Sequence, residues 1–447
     1  MEHNKNYFPK PKTTPTRRPK ICELFDTQTA REYTILNETI RNQFAINELN
    51  LSPVEIPKKI KHPKCYLCNQ RIVKTHWFYH FICPTCGDVS YQKRNLSKDL
   101  TGYKALVTGG RVKLGYQIAL KLLRCGSQVL ITSRNWKNAI ERYQDEPDYH
   151  VWKDRLHVCQ IDFDLLKIDI LLKDLDQELN RIWPDDQSID ILINNAAQTI
   201  SGIKESSSLN NDKQEEVVFE GKKRSFPPLS WCKNILPKVD RYQRVIDQRE
   251  TNSWTCKFGN VDPEEAKQVL LANAWAPFVL TQFMLPRLMK SNKNPYIINL
   301  HSKEGHFSSH KTTNHSHTNI SKAGLQIFTR ILAATTSRIE DRQKFQEKYI
   351  SDLPWKNRFI RNWKTNIISN ELNRSSTNEV NKYINVCGCD PGFLSVDEFS
   401  LKDRIEKNLL FPPIDEIDGA ARVLYPIFIN MSSFPSTIRH YIPLIEY

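Results

Sequence analysis

The sequence predicts an α/β protein, a doubly wound parallel sheet with α-helices on both faces, preceded by a small cysteine module. Three observations lead there. From Lys104 onward, short β-branched runs alternate with helix-length segments, which is how βαβ units read. Four cysteines fall into two CxxC pairs ahead of the first of those runs. A composition of 39% hydrophobic and 10% aromatic residues can build a core, and it excludes a collagen-like, low-complexity or disordered chain.

In chain order, residues 1–20 are basic and broken by proline, and read as a disordered arm. Residues 21–60 read as a short helical segment around REYTILNETIRNQFAINEL, and residues 61–95 as the cysteine module. Residues 101–447 carry the sheet. Its expected strands are KALVT, SQVLIT, RLHVCQID, IDILINN, YIINLHS and YINVCGCD, separated by helix-length segments such as VKLGYQIALKLLRCG and LLKIDILLKDLDQEL. Two polar stretches, at about 201–262 and 340–383, interrupt the rhythm. Both read as surface insertions, because lengthening a loop costs little entropy.

The formal charge is +14, from 64 Lys+Arg against 50 Asp+Glu. Residues 1–100 hold 17 basic and 9 acidic side chains, so 17 − 9 = +8 of it lies at the front. A solvated tail explains this bias more simply than a polyanion partner, so nucleic acid is not the expected ligand. The apolar runs fall short of the roughly 20 residues that a membrane helix needs, and the basic front lacks the apolar stretch of a secretory signal. The expectation is a cytoplasmic chain with reduced cysteines and no membrane partner.

Cys65, Cys68, Cys83 and Cys86 are spaced CxxC–x14–CxxC. Each CxxC turn offers two thiolates to one metal, and two such turns complete the tetrahedron of a structural Zn²⁺. With four sulfur ligands no coordination position stays open, so the metal holds a zinc-ribbon-like fold rather than performing chemistry. His62, His76 and His80 lie nearby and read as packing or surface residues. A redox pair is disfavoured because neither CxxC is expected to open a helix after a strand. The aromatics Trp77, Phe78 and Tyr79 read as the core of the module, with base stacking as the rival role.

The first strand runs into Thr108-Gly109-Gly110-Arg111-Val112-Lys113-Leu114-Gly115 and then an apolar helix. A glycine turn in that position brings backbone amides to a pyrophosphate at the positive end of the helix. Further motifs follow in order: Ile161-Asp162, Asn194-Asn195-Ala196-Ala197, Asn273, Asn299-Leu-His-Ser302-Lys-Glu-Gly305, Ser321-Lys322-Ala323 and Asp390-Pro391-Gly392. In this order and spacing the chain resembles the short-chain dehydrogenase/reductase superfamily from about residue 101 to the end. More particularly it resembles a divergent branch of NAD(P)-dependent oxidoreductases with a cysteine module before a Rossmann-type sheet and HTNxxK in place of YxxxK.

The resemblance implies a site. Lys322 would hold the nicotinamide ribose and lower the pKa of a neighbouring acid, Ser302 the substrate oxygen, and Asn273 a relay water. The superfamily tyrosine should stand four residues before the lysine, where this chain has Thr318. A phenol, with a reference pKa near ~10, can be tuned by an adjacent ammonium, whereas an aliphatic hydroxyl is far too weak. His317 or His315 is the alternative acid, against a loop or capping role. Thr108, Gly109, Arg111, Lys113, Leu114, Gly115, Ser133, Arg134, Asp162, Asn194, Ala196, Lys322, Pro391 and Gly392 would bind the cofactor. Lys113 replaces the middle glycine of the turn, and either contacts phosphate with its ammonium or points to solvent. Ser133-Arg134 stands where an acid would favour NAD, so NADP is the expected coenzyme. Asp162 would bracket the adenine or cap a helix. Asn252-Ser253-Trp254 reads as a cap followed by a core aromatic.

The sequence therefore points to an NADP(H)-dependent oxidoreductase for a carbonyl/alcohol pair, with a small-molecule substrate and pairing into a homo-oligomer. A catalytically inactive NADP-binding protein is the alternative, and a nucleic-acid-binding protein a weaker one.

Overall fold

The computed structural model describes residues 62–79, 81–161, 168–200, 252–307, 309–336, 383–394, 412–439 and 442–444. The arm at 1–20, the segment at 21–60, His80, Asp162 and most of the two insertions lie outside the described residues. The chain divides into two compact units, Met1–Gln92 with Phe399–Asp415, and Lys93–Glu398 with Glu416–Tyr447.

In the first unit, the turn after Cys65 closes through Asn69 N–H to the Cys65 carbonyl and Cys65 N–H to the Gln70 carbonyl, with Asn69 left-handed at φ 61°. Lys64 and Arg71 bridge across it. The second CxxC, Cys83-Pro84-Thr85-Cys86, opens a helix, α1 (Pro84–Arg94), with proline at its start, and no strand precedes it among the described residues. Phe78 and Tyr79 are buried and pack edge-on to each other, while Trp77 and Tyr91 complete the cluster. His76 is buried too. Its Nδ1 accepts from the Phe78 and Tyr79 amides and its Nε2 faces Asp88 at 3.2 Å, so neither nitrogen is turned to the thiols.

The second unit is the doubly wound sheet. Its strands are β1 (Lys104–Val107), β2 (Gln128–Ser133), β3 (Leu156–Gln160), β4 (Ile191–Asn194), β5 (Tyr296–Leu300), β6 (Asn385–Asp390), β7 (Phe434–Arg439) and β8 (Ile442–Leu444). They lie in the order β3-β2-β1-β4-β5-β6-β7-β8, all parallel except β8, which turns back on β7. Central strands covered on both sides read as continuous apolar runs, and alternate residues serve opposite cores. Ala105 and Val107 face α2 (Lys113–Arg124), α3 (Trp136–Gln144) and α8 (Glu416–Phe428). Leu106 faces α4 (Ile168–Ile182), α6 (Ala276–Met289) and α7 (Ser316–Thr336). Helix α8 closes on α2 at Gly419, where a Cβ would stand 2.9 Å from the Leu114 side chain.

Ahead of α6, α5 (Pro263–Leu270) continues through a π-helical turn, Leu271–Trp275. Pro277 has no N–H for the carbonyl four residues back, that of Asn273, and the ladder slips to π spacing there. The whole run Pro263–Met289 is apolar and long enough to cross a membrane. A core helix passes the same test, and Leu280, Met284 and Leu288 of this one are buried under the sheet.

Candidate active site

Sheet order reverses between β1 and β4, and an open parallel sheet binds ligands at such a switch point, beyond the carboxyl ends of its strands. The glycine turn lies there. Gly109 is left-handed at φ 70°, and Gly115 is packed so closely that a Cβ would stand 2.2 Å from the Gly109 carbonyl oxygen. Lys113 is left-handed as well, at φ 56°. The turn thus keeps the backbone of the missing glycine while carrying a lysine, at a cost of roughly 1–2 kcal/mol. Val112 precedes α2 in an extended conformation without a side-chain cap, so the first helical amides are not claimed by a side chain there.

Residues named from the sequence take distinct places around this turn. The Thr108 hydroxyl accepts from the Asn195 and Ala196 amides, tying β1 to the end of β4. Arg111 is buried and donates to Asn138 at 2.9 Å. Arg134 is exposed just past β2, beside Ser133, whose buried Oγ has no hydrogen-bond partner among the described residues. The Asn194 side chain turns into the interior, donating to Asn299 and Thr281. Its neighbour Asn195, not singled out from the sequence, is the one that clasps the turn, donating to the carbonyls of Thr108 and Gly109. The signal was present, since both asparagines stand in NNAA.

Beyond β5 and β6 lies the second half of the site. Lys322 is buried in α7 and donates to the Leu300 carbonyl at 2.8 Å. Burial pulls its pKa down to about 8, against the opposing pull of Glu304 and Asp390. The turn Lys303–Gly305 packs on α7 so tightly that a Cβ on Gly305 would lie 2.7 Å from the Lys322 backbone. Ser302 heads that turn, and its Oγ is buried without a hydrogen-bond partner among the described residues, as is Oγ1 of Thr318. Asn273 receives the Gln198 amide on Oδ1 and donates from Nδ2 to the Gln198 carbonyl and the Ser321 hydroxyl. Its side chain therefore ties the end of β4 to α7. After β6, Gly392 is left-handed at φ 94° and its amide donates to Asp390, while Arg422 donates to the Pro391 carbonyl.

His301 is a further residue that sequence reasoning passed over. Its ring fills the space above Gly388, where a Cβ would lie 2.0 Å from it. Nε2 is 2.8 Å from the Thr329 hydroxyl, whose proton is directed to the Leu325 carbonyl. Burial, then Lys322 and His306, hold its pKa well below the ordinary imidazole value. Asn252 caps a turn as expected, but Trp254 is 45% exposed rather than core, and stacks on His315 at 4.3 Å and 7°.

The family model for short chain dehydrogenases matches residues 103–241. Uncharacterized protein R665 of Acanthamoeba polyphaga mimivirus is 35% identical over 427 residues, 93% of this chain and 82% of that one. The (-)-isopiperitenone reductase of Mentha piperita is 28% identical over 203 residues, 45% of this chain and 57% of the reductase. Among solved structures, a short chain dehydrogenase from Escherichia coli CFT073 complexed with NADPH is similar at 15% identity and a TM-score of 0.44, covering 78% of this chain and 98% of that one. The carbonyl reductase Sniffer of D. melanogaster is similar at 14% identity and a TM-score of 0.45, covering 78% and 100%. With the family model matched from β1 past β4, and with glycine turn, NNAA and buried lysine set around one switch point, the chain belongs to the short-chain dehydrogenase/reductase family.

Proposed function

We propose that the chain is an NADP(H)-dependent oxidoreductase acting on a carbonyl/alcohol pair. The observation that carries this reading is the buried Lys322 ammonium at the end of β5, near two buried hydroxyls, Ser302 and Thr318, that lack partners among the described residues. A carbonyl or alcohol oxygen would satisfy both hydroxyls. The residues also fit the dinucleotide: a glycine turn left-handed at Gly109 at the end of β1, a helix start without a side-chain cap, and the partnerless Ser133 hydroxyl at the end of β2. When bound, the nicotinamide supplies or accepts a hydride. The glycine turn would hold its pyrophosphate, Arg134 and Lys113 its extra phosphate charge, and Lys322 its ribose. Among the family relatives a reductase supports this direction.

Titration with NADPH and NADH, followed by nicotinamide fluorescence, tests the reading. Wild type is expected to prefer NADPH, and Arg134→Ala to narrow that preference by about tenfold, the loss of roughly 1.4 kcal/mol. Lys113→Ala and Lys113→Gly both remove an ammonium and should weaken NADPH to a similar degree. Only the glycine variant also relieves the left-handed strain, so it alone should melt at a higher temperature than wild type. Failure of wild type to bind either coenzyme would overturn the reading.

Thr318 in the tyrosine's place favours a second reading, an NADP-binding protein without turnover; it predicts the same titrations and no hydride transfer. The buried rings of Phe78 and Tyr79 lend no support to nucleic-acid binding by the cysteine module. Pairing of two copies is part of the proposal. Ile320, Ile327 and Ile331 form an exposed stripe along α7, and Trp275 and Phe278 are exposed on the adjoining helix. Sedimentation velocity would read this directly.

The four thiols are proposed to hold one structural Zn²⁺. Their sulfur atoms lie within 4.8 Å of one another, and Cys68 and Cys83 are 3.8 Å apart. A tetrahedron with Zn–S bonds of about 2.3 Å requires sulfur separations of about 3.8 Å. One zinc per chain is expected by atomic absorption. Stripping it with a chelator at pH 7 should abolish the near-UV signal of the module's aromatic cluster, because binding energy of roughly 10–16 kcal/mol is lost from folding. An unchanged signal after complete removal would refute a structural metal.

A further inference from the structure

We infer that His317 is the proton donor to the substrate oxygen, at the position beside the one where other members of the family carry tyrosine. The inference rests on the oxidoreductase reading above. His317 lies in the first turn of α7 and is 3% exposed. Its Nε2 is 3.0 Å from the Thr199 carbonyl. A carbonyl only accepts, so Nε2 carries the hydrogen and Nδ1 is the atom that gains and loses a proton. Nδ1 is buried without a hydrogen-bond partner among the described residues.

The same is true of Oγ1 in the next residue, Thr318, and of Oγ in Ser302, whose turn packs on α7 at Lys322. Buried donors and acceptors are ordinarily paired, so three such atoms left together point to a ligand that pairs them. A substrate oxygen offers what all three lack, accepting from two hydroxyls and from a charged imidazole. The other candidates are committed elsewhere. The His315 ring is stacked on Trp254 with Nδ1 on the Trp254 carbonyl, and its other nitrogen is not among the buried atoms left without a partner. His301 is held on Thr329, and the Lys322 ammonium donates to Leu300.

The step balances. When bound, reduced nicotinamide would be the reductant, its hydride going to the carbonyl carbon. The π pair of the C–O bond moves to oxygen, and that oxygen takes the proton from Nδ1. The Thr318 hydroxyl can relay it, giving its own proton and recovering one from Nδ1. The ring ends neutral, still donating from Nε2 to Thr199, and solvent recharges it; alcohol oxidation runs the same path backwards. The ionisable groups on the elements around His317 are His315 and Lys322 on α7 or its approach, and Glu265 on α5, which meets the Ser253 hydroxyl beside the Thr199 carbonyl. Lys303 and Glu304 after β5, His301 and His306 beside that turn, Asp390 at the end of β6, and Glu264 and Lys267 on α5 are the others among the described residues.

His317→Gln tests the assignment, because a glutamine amide can still donate to Thr199 but has no proton to transfer. The probe is 9,10-phenanthrenequinone with NADPH. The variant should bind NADPH within about twofold of wild type, lose about 10²–10⁴ in kcat, and lose the fall in rate toward high pH that a protonated donor imposes on the wild type. Independently of turnover, long-range ¹H–¹⁵N spectra of cofactor-free wild type should show the His317 resonance, identified by its absence in the variant, as the Nε2–H tautomer. An Nδ1–H tautomer, or a variant with wild-type kcat and pH profile, overturns the donor assignment and leaves the oxidoreductase reading standing. NADPH binding by wild type with no quinone reduction at any pH overturns both.

Discussion

Gly115→Ala is expected to abolish NADPH binding and to lower the melting temperature sharply. The new methyl would stand 2.2 Å from the Gly109 carbonyl oxygen and 2.3 Å from Asn195 Nδ2, and the first of these is backbone that cannot swing aside. Relief requires either the α2 start to withdraw from the turn or Asn195 to release the carbonyls of Thr108 and Gly109. Either move spoils the anion cradle, and overpacking of this kind costs roughly 1–3 kcal/mol before any lost hydrogen bonds are counted. A thermal melt together with an NADPH titration checks both effects. Wild-type affinity in the variant would mean that the pyrophosphate does not sit on this turn.

Lys322→Met should do the opposite to stability while ending catalysis. In the unfolded chain the lysine has its ordinary pKa of 10.5, and in the fold burial lowers it to about 8. Below about pH 8 it is protonated in both states, and the folded protein bears the full cost of burying the charge. Between the two values the unfolded chain binds the extra proton, so wild-type stability rises with pH, and above 10.5 the cost has gone. Methionine carries no such cost. The variant's advantage should therefore be largest at pH 7 and shrink by about 3 kcal/mol by pH 10.5, from roughly 1.36 kcal/mol per unit. The lost hydrogen bond to the Leu300 carbonyl offsets about 1–3 kcal/mol of the gain at every pH. Urea unfolding at the two pH values reads the difference, and kcat should fall at least a hundredfold if Lys322 tunes the site. A pH-independent difference would show that the buried ammonium is not strained.

Much of this is legible in the sequence. Alternation of β-branched runs with amphipathic helices gave the doubly wound sheet, because a strand covered on both faces and a helix covered on one have different apolar periods. The motifs at Gly109, Asn194-Asn195, Ser302, Lys322 and Asp390 each sit at a strand end or on a helix beside one, so their order along the chain already placed them on one edge. The cysteine spacing likewise foretold four thiols brought together, although the helix that starts at Pro84 was not foreseen.

What the sequence by itself determined, then, is the set of elements and the edge of the sheet on which the chemistry-bearing residues gather, since both follow from local periodicity and from motif position. The tertiary structure decided which atom each residue presents. Asn195 rather than Asn194 meets the turn, because adjacent residues at a strand end face opposite ways. Lys113 takes the left-handed backbone that glycine favours, at φ 56°, which its side chain does not announce. His317 is set apart from His315 by a buried Nδ1 with no partner among the described residues, while its Nε2 is held by the Thr199 carbonyl, contributed by a segment more than a hundred residues away; no spacing within the chain encodes that contact.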